Sequence, residues 1–380
     1  MKRRILLILF FISLKAGAQS PAFQRSDSLF SIGSYTQAIG VLKEITPASP
    51  EVHLRLARSY RAKGNLQKAI IHYRAVVEND PKDIPALVDY SELLLKTGKL
   101  GAADSIYASL AKKFPDNANF QFELGSIREK RKDSTAFAYY RKAILLDSTH
   151  QDAILKMATE FLRQGNFDKA EKYAQQGLRS NPYNVSLISI LGQTYFNQKQ
   201  YRKSIPPFEK LLVLGNNSQF VHSKLGMAFF REGNYKKAIS HYQRALDFEV
   251  ENSSVHYMLG INYARIGEYE KSKEHLLTSI EIKDQPLDGE YLSLALTNKM
   301  TGNYKKALEN LEKALEEDPK NERVLYERAI AADNYFADIQ TRINYYQAYL
   351  NEHGETGNKS LIILTKRRIQ DLKVELHMKQ

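Results

Sequence analysis

Apolar residues recur with a helical period along most of the chain, and short polar phrases interrupt them at regular intervals. On either side of each phrase lies an apolar-periodic segment of about a dozen residues, the spacing typical of a helix-turn-helix hairpin. Many of the phrases begin with glycine, where one helix ends and the chain reverses. The pattern therefore predicts a series of hairpins, in which we name the first helix A and the second helix B.

The turn phrase has a regular period. Seven of the predicted turns carry glycine, at Gly33, Gly64, Gly98, Gly165, Gly233, Gly267 and Gly302. A residue that is small in nearly every unit follows the turn on helix B, at Ala38, Ala69, Ala103, Ala136, Ala170, Ser204, Ala238, Ser272, Ala307 and Thr341. Successive members of this second series are 31 to 35 residues apart. The period predicts ten hairpins in one continuous array.

Other positions recur in the same register. Helix A has its own small residue, as at Gly192 and Gly226, with a large aromatic residue nearby on helix A or helix B, as at Tyr195 and Tyr242. Several units close with a proline such as Pro81, which stops helix B. This combination resembles the tetratricopeptide repeat over nearly the whole chain after the first eighteen residues. The resemblance implies an all-α fold, a right-handed superhelical solenoid of about ten hairpins whose A helices line a concave groove.

After Gly354 the repeat pattern gives way to a single amphipathic segment. Apolar residues such as Ile369 and Leu372 recur there among basic side chains. A solenoid needs a terminal element with a polar outer face to cover its last exposed core. We therefore expect a capping helix in residues 354–380 after a repeat array in residues 19–353; a partner-binding tail is the alternative for the last segment.

The first residues show the three-part pattern of a secretory signal peptide. Cations at 2–4 precede an apolar run over 5–14, and small residues follow at 16–18. The run is too short to span a membrane, so we expect 1–18 to be a signal peptide cleaved after Ala18. An uncleaved membrane anchor is the alternative. The pattern predicts an exported protein, periplasmic or envelope-associated in a Gram-negative-type cell, with no integral membrane span after cleavage.

Charge and cysteine content narrow the range of functions. Cleavage removes four of the 55 basic residues and none of the 43 acidic ones, which leaves 51 basic residues and a net charge of +8. Such a modest charge, without interleaved aromatic and basic residues, argues against nucleic acid as a partner. The chain has no cysteine, which excludes an acylated lipoprotein N-terminus and any disulfide.

The sequence carries no recognisable catalytic constellation. It has no cysteine nucleophile, no glycine-rich phosphate loop and neither the H-E-x-x-H nor the G-x-S-x-G motif, so we expect neither an enzyme nor a cofactor. His222 and His256 occupy equivalent positions in neighbouring units, as do His241 and His275. Stacked units could bring each pair within a metal's reach, but without a cysteine or carboxylate in register we interpret these histidines as packing residues and predict no metal site.

The resemblance also implies which side chains face the groove: those at the second, fifth, ninth, twelfth and thirteenth positions of each unit. The apolar residues at these positions are Leu155, Leu162, Phe196, Phe220, Met227, Phe230, Tyr257, Ile261, Leu292, Leu296 and Met300. Aromatic and methionine side chains on a concave surface suit an apolar peptide or a partner helix. Two alternatives stay open: the residues pack on one another, or the register is shifted by one.

A basic edge follows the thirteenth position, at Lys96, Lys130, Arg163, Arg231 and Arg265. Cations at the end of helix A also complement the helix dipole, so they are expected even without a partner. The family's clamp for a peptide carboxylate needs lysine at the fifth position and asparagine at the ninth. This chain has residues such as Val88 and Tyr257 at the fifth position and Thr159 and Ile261 at the ninth, which argues against that clamp.

Together these features predict a non-catalytic protein-protein interaction scaffold of the cell envelope. Its partners are proteins or peptides, bound in a concave apolar groove with a basic edge. An accessory subunit of an envelope enzyme or glycan-processing system is the first alternative, and a binder of acidic polymers is the second.

Overall fold

The computed structural model describes residues 21–284 and 286–378, and within these ranges it contains helices and short connections without any β-strand. The all-α repeat architecture expected from the sequence is thereby confirmed. The predicted signal peptide, residues 1–18, lies outside the described residues.

The helices pair into ten hairpins, followed by one further helix. The A helices are α1 (21–31), α3 (Pro50–Ala62), α5 (Ile84–Lys96), α7 (Ala118–Lys130), α9 (Gln151–Arg163), α11 (Val185–Asn197), α13 (Gln219–Arg231), α15 (Ser253–Arg265), α17 (Asp288–Met300) and α19 (Glu322–Tyr335). The B helices are α2 (Tyr35–Lys43), α4 (Leu66–Asn79), α6 (Leu100–Lys113), α8 (Ala136–Leu146), α10 (Phe167–Ser180), α12 (Tyr201–Val213), α14 (Tyr235–Leu246), α16 (Tyr269–Ile282), α18 (Tyr304–Glu317) and α20 (Ile339–His353). The further helix is α21 (Lys359–Met378).

The recurrent Gly-Asn phrase ends one helix and begins the next. All seven predicted turn glycines have positive φ, between 72° and 83°, a conformation that costs glycine little. At the second turn the Gly64 amide donates to the Arg61 carbonyl and the Asn65 amide to that of Tyr60, which closes helix A. The Asn65 side chain then accepts a hydrogen bond from the Lys68 amide at 3.2 Å and caps helix B.

Two turns use lysine where seven others use glycine. Lys132 and Lys199, in the fourth and sixth turns, each have a φ of 60°. This left-handed conformation brings the side chain close to the backbone and costs a residue other than glycine free energy. The left-handed geometry of the turn is therefore kept in these two hairpins although the glycine is lost, whereas the tenth turn, at 336–338, has no residue with positive φ.

Small residues let the two helices of a hairpin pack closely. Of the ten small positions on helix B, nine are at most 1% exposed, the exception being Thr341. On helix A, a Cβ added to Gly226 would lie 2.9 Å from the ring of Tyr242, and one added to Gly125 would lie 2.7 Å from that of Tyr140. Both aromatic rings are buried, so they occupy the space that a larger residue on helix A would need.

The chain divides into two compact units. Unit 1 ends at Glu160 and unit 2 begins at Phe161, within α9. The core of unit 1 contains Leu56, Tyr73 and Leu94 among its buried side chains. Unit 2 has separate buried clusters, one of them around Phe208, Leu225 and Tyr242 in hairpins 6 to 8 and another around Leu311, Val324 and Tyr349 in hairpins 9 and 10.

Helix α21 covers the last hairpin. Its Ile369 and Leu372 are buried with Ile343 and Tyr346 of α20 in one apolar cluster. Asp333 at the end of α19 accepts hydrogen bonds from Arg342 of α20 and Arg368 of α21, with Arg368 Nε at 2.6 Å. The expected capping helix is confirmed, whereas the domain boundaries drawn after residues 18 and 353 stay predictions.

Candidate partner-binding groove

The eleven side chains predicted to face the groove are all at least partly open to solvent. Nine of them are partly exposed, Phe220 is 40% exposed and Met300 is 63% exposed. Leu155 lies in unit 1, and the other ten lie in unit 2. Leu292 packs against the buried cluster of hairpins 9 and 10. Their role in binding a partner stays a prediction.

Part of the predicted set lines one cavity of about 440 Å³ in unit 2, which we call the groove cavity. Four successive A helices, α13, α15, α17 and α19, contribute to it together with one residue of α16. Its lining residues are Phe230, Ile261, Ala264, Arg265, Leu276, Ser293, Leu296, Thr297, Lys299, Met300, Arg323 and Glu327. The structure thus brings Phe230, Ile261, Leu296 and Met300 together with the basic-edge residue Arg265.

One end of the groove cavity carries an internal ion-pair cluster. Glu327 of α19 is only 4% exposed and pairs with Lys299 of α17, whose Nζ lies 2.5 Å from Oε2. Arg323 donates to the other carboxylate oxygen, with Nη2 2.8 Å from Oε1. These two cations share one carboxylate and are therefore both ion-paired, in contrast to Arg265, which makes no ion pair with a described residue.

Lys224 of α13 contacts two of the predicted groove residues, although the sequence pattern did not single it out. Its Nζ lies 4.3 Å from the ring centre of Phe196 and 5.7 Å from that of Phe220, so an ammonium group sits against two predicted groove residues. Burial lowers the pKa of Lys224, and no ion pair with a described residue opposes this effect. The contact also contradicts the expectation that aromatic and basic residues are not interleaved.

All five residues of the predicted basic edge are exposed. The Arg231 guanidinium lies over the rings of Tyr201 and Phe230, 5.8 and 5.7 Å from their centres. Cations held over aromatic faces are attracted by the ring quadrupole without being neutralised. Arg231 makes no ion pair with a described residue, so its positive charge faces solvent unopposed.

The positive charge of the chain is concentrated in one stretch. Residues 172–246, from α10 to the end of hairpin 7, carry eleven basic residues and two acidic ones, a net charge of +9, against +8 for residues 19–380. The basic residues are Lys172, Arg179, Lys199, Arg202, Lys203, Lys210, Lys224, Arg231, Lys236, Lys237 and Arg244. Helices α11, α13 and α15 contain no aspartate or glutamate at all. A count by segment, rather than over the whole chain, would have shown this from the sequence.

The histidines pair within single hairpins rather than between equivalent positions of neighbouring units. His222 does not meet His256; its Nδ1 lies 3.0 Å from that of His241 within the same hairpin. His256 pairs in the same way with His275, and His53 with His72. All three pairs are 19 residues apart, a spacing that could have revealed them. Within the described residues, no group of three or more histidine, cysteine or acidic side chains could hold a metal ion.

Hydrogen bonds fix the protons of the His222–His241 pair. His222 Nε2 lies 2.8 Å from Oδ1 of Asn217, an acceptor, so Nε2 carries a proton and Nδ1 accepts one from His241. Burial, followed by the charges of His222 and Lys237, lowers the pKa of His241 to about 4. The pair is therefore neutral near pH 7 and acts as a packing element of the hairpin.

Sequence models of the tetratricopeptide repeat match residues 29–86, 60–121, 91–152, 155–218, 219–250, 253–286 and 291–321. Together these matches cover most of the described chain. None of the helices in the described residues is both long and apolar enough to cross a membrane.

Several known proteins are similar to this chain. The Protein CTR9 homolog of Arabidopsis thaliana is 22% identical over 47% of this chain and 17% of its own length. The TPR repeat-containing protein YpiA of Bacillus subtilis is 23% identical over 51% of this chain and 47% of its own length. The chain thus spans less than half the length of these relatives.

Solved structures of other proteins are also similar to this chain. Yeast Tom70 is 14% identical, with 96% of this chain and 98% of that chain covered and a TM-score of 0.42. YrrB, described as a TPR protein with an unusual peptide-binding site, is 20% identical, with 50% of this chain and 97% of that chain covered and a TM-score of 0.46.

Proposed function

The chain belongs to the tetratricopeptide repeat family, and from this premise we propose that it is a non-catalytic protein-protein interaction scaffold of the cell envelope. Repeats of this kind build an extended surface from successive A helices, and such surfaces bind peptides or helices of other proteins. Binding takes place in the apolar groove with its basic edge, and the protein performs no chemistry of its own.

The groove cavity is the observation that carries this proposal. It collects partly exposed apolar side chains from four A helices, including Phe230, Ile261 and the largely exposed Met300. A contiguous set of exposed apolar residues is uncommon on a monomeric protein unless a partner covers it. Methionine adapts its shape to different partners, and aromatic rings supply contact area at little cost in conformational entropy.

Photo-crosslinking tests whether the groove binds partners. A photoreactive amino acid replaces Met300 or Phe220 in the groove, or Leu277 on helix α16, which is 49% exposed and does not line the cavity. In intact cells we expect discrete adducts from the two groove positions and few from Leu277. Equal adducts from all three positions would contradict the groove assignment. Adducts with an enzyme would favour the accessory-subunit alternative.

Export is a separate part of the proposal, supported by the signal-peptide pattern of residues 1–18. Mass spectrometry of the protein recovered from an envelope fraction should find Gln19 as the first residue. Recovery from the cytoplasm with residues 1–18 intact would rule out the envelope location, but it would leave the scaffold function untouched.

A further inference from the structure

Acidic residues and ion pairs are unequally distributed among the A helices of unit 2, and this difference indicates the chemistry of the partner. Helices α11, α13 and α15 of hairpins 6 to 8 carry no carboxylate, and they lie in or next to the stretch that holds a net charge of +9. Their cations Lys224, Arg231 and Arg265 make no ion pair with a described residue. On the next two A helices, by contrast, Lys299 and Arg323 share Glu327.

We propose that hairpins 6 to 8 bind an acidic amphipathic peptide segment of a partner protein. Its carboxylates pair with Lys224, Arg231 and Arg265, and its apolar side chains enter the groove cavity between Phe230, Ile261 and Leu296. The inference rests on the proposed scaffold function and narrows its partner to one chemical class. An opposite charge on the partner both attracts it and disfavours basic competitors.

The surroundings of Lys224 prepare it for a carboxylate. Its ammonium group is already partly buried between Phe196 and Phe220, so part of the desolvation cost of binding is met before the partner arrives. A carboxylate at this place would make a charge-assisted hydrogen bond in a less aqueous environment than the open surface offers. An ion pair there contributes more than one between two fully exposed side chains.

The combination of cations and an apolar cavity distinguishes a peptide from other occupants. A polyanion such as nucleic acid would satisfy the cations but would leave the groove cavity unfilled. The chain's own first twenty residues are also unsuitable, because they contain four basic and no acidic residues. An acidic peptide with apolar side chains on one face satisfies both features at once.

Selection from a displayed library of random linear peptides tests the proposal with the purified protein. We expect the selected peptides to be enriched in aspartate and glutamate over the input library, together with leucine, phenylalanine or methionine at helical spacing. The Kd of one selected peptide is then measured by fluorescence anisotropy. The triple variant K224Q, R231Q and R265Q should weaken binding at least about tenfold.

A second triple variant provides a matched control. Lys210→Gln, Lys236→Gln and Lys237→Gln remove the same amount of charge from the B helices α12 and α14. Lys210 and Lys237 also lie over aromatic rings, those of Tyr183 and Phe229. This variant should change the Kd by less than about threefold, because its effect is limited to screened, long-range attraction. Circular dichroism confirms that both variants keep their helices.

The possible outcomes separate this inference from the proposed function. The inference would be overturned if the selected peptides depend on Met300 and Ile261 but show no acidic enrichment, or if neither triple variant changes their Kd. Either result would leave the groove assignment intact. Failure to select any peptide that depends on the groove would overturn both. Tighter binding of a single-stranded oligonucleotide or heparin, weakened equally by both triples, would replace the peptide with a polyanion. Self-association by two copies, detected by sedimentation, would also overturn it.

Discussion

Two neighbouring regions of unit 2 use the same hairpin skeleton with different polar residues. In hairpins 9 and 10 and the capping helix, cations form ion pairs within the protein: Lys299 and Arg323 share Glu327, and Arg342 and Arg368 share Asp333. In hairpins 6 to 8, the cations of the A helices lie on aromatic rings or in solvent. The comparison teaches that hairpin packing does not require these ion pairs, so the cations left unpaired are available for another molecule.

The largest effect should come from removing the carboxylate that the last hairpin shares with the cap. Asp333 is 9% exposed, and its replacement by alanine removes the partner of Arg368 and leaves Arg342 only its longer contact with Glu375, at 3.7 Å. We expect a loss of about 3 kcal/mol in the free energy of unfolding of this region. Hydrogen exchange of α20 and α21 amides measures it, since repeat arrays often unfold in parts.

A matched variant and the pH dependence sharpen this prediction. Glu268→Ala removes an exposed partner of Lys271 and should cost no more than about 0.5 kcal/mol. Burial opposes ionisation of Asp333, but the hydrogen bonds from Arg368 and Arg342 lower its pKa overall. The stabilisation is therefore complete above the ordinary pKa of 3.8 and is lost as the pH falls through the lowered value. An equal loss in both variants would contradict the distinction between buried and exposed pairs.

The second effect tests whether packing governs hairpins 6 to 8. Gly226→Leu places a side chain where the ring of Tyr242 already lies, and we expect a loss of about 1–3 kcal/mol, measured by exchange of hairpin 7 amides. Gly40→Leu on α2 is the control, because a Cβ at that position meets nothing within 4 Å. If the two variants behave alike, close packing at Gly226 is not required.

The third effect concerns pH in hairpin 7. The pKa of His241 is lowered to about 4, whereas an unfolded histidine titrates near its ordinary value of 6.5. Stability should therefore be complete above pH 6.5 and fall as the pH drops towards 4, by about 1 kcal/mol once solvent screening is considered. His241→Gln keeps a donor for His222 but does not titrate, so urea midpoints of this variant should show a weaker dependence over the same pH range.

A smaller effect, of opposite sign, is expected in the turn of hairpin 6. Lys199→Gly relieves a left-handed conformation that glycine adopts freely, so stability should rise by about 0.5–1 kcal/mol. Lys236→Gly, within the first turn of α14, should instead lower stability by about the helix-propensity difference of ~1 kcal/mol. Thermal melts of the two variants measure the contrast, and a melting point for Lys199→Gly below that of the parent would refute it.

The smallest effect on stability belongs to Lys224. Because it has no ion pair to lose and pays for its burial, Lys224→Gln should change the free energy of unfolding by less than about 0.5 kcal/mol. Lys299→Gln, which strips buried Glu327 of one partner, should cost about 2 kcal/mol in the same urea titration. Similar losses in both variants would mean that the two regions do not differ in the way their cations are used.

The repeat skeleton was readable from the sequence because it depends on residues with one strong physical requirement. Glycines at the turns and small residues at Ala38 and its equivalents predicted ten hairpins, and the structure contains the corresponding helices. The structure of the Lys132 and Lys199 turns was not predicted, since neighbouring hydrogen bonds impose a conformation that lysine itself disfavours.

Contacts between helices were harder to predict than the helices themselves. His222 and His241 meet because helices A and B of one hairpin pack side by side, whereas the 34-residue period draws attention to equivalent residues of different hairpins. Lys224 follows Ser223, which occupies the fifth position of its unit, a position predicted to face the groove. The contact of Lys224 with Phe196 depends on the packing of α13 against the preceding hairpin. A period identifies positions, but it does not specify which side chains meet.

The apolar cluster shared by α19, α20 and α21 also imposes an order in time. Ile343 and Tyr346 complete their core only with Ile369 and Leu372, which follow them in the chain. During synthesis α19 and α20 therefore leave the ribosome with an uncovered apolar face. Hairpin 10 cannot reach its final packing until α21 has also emerged.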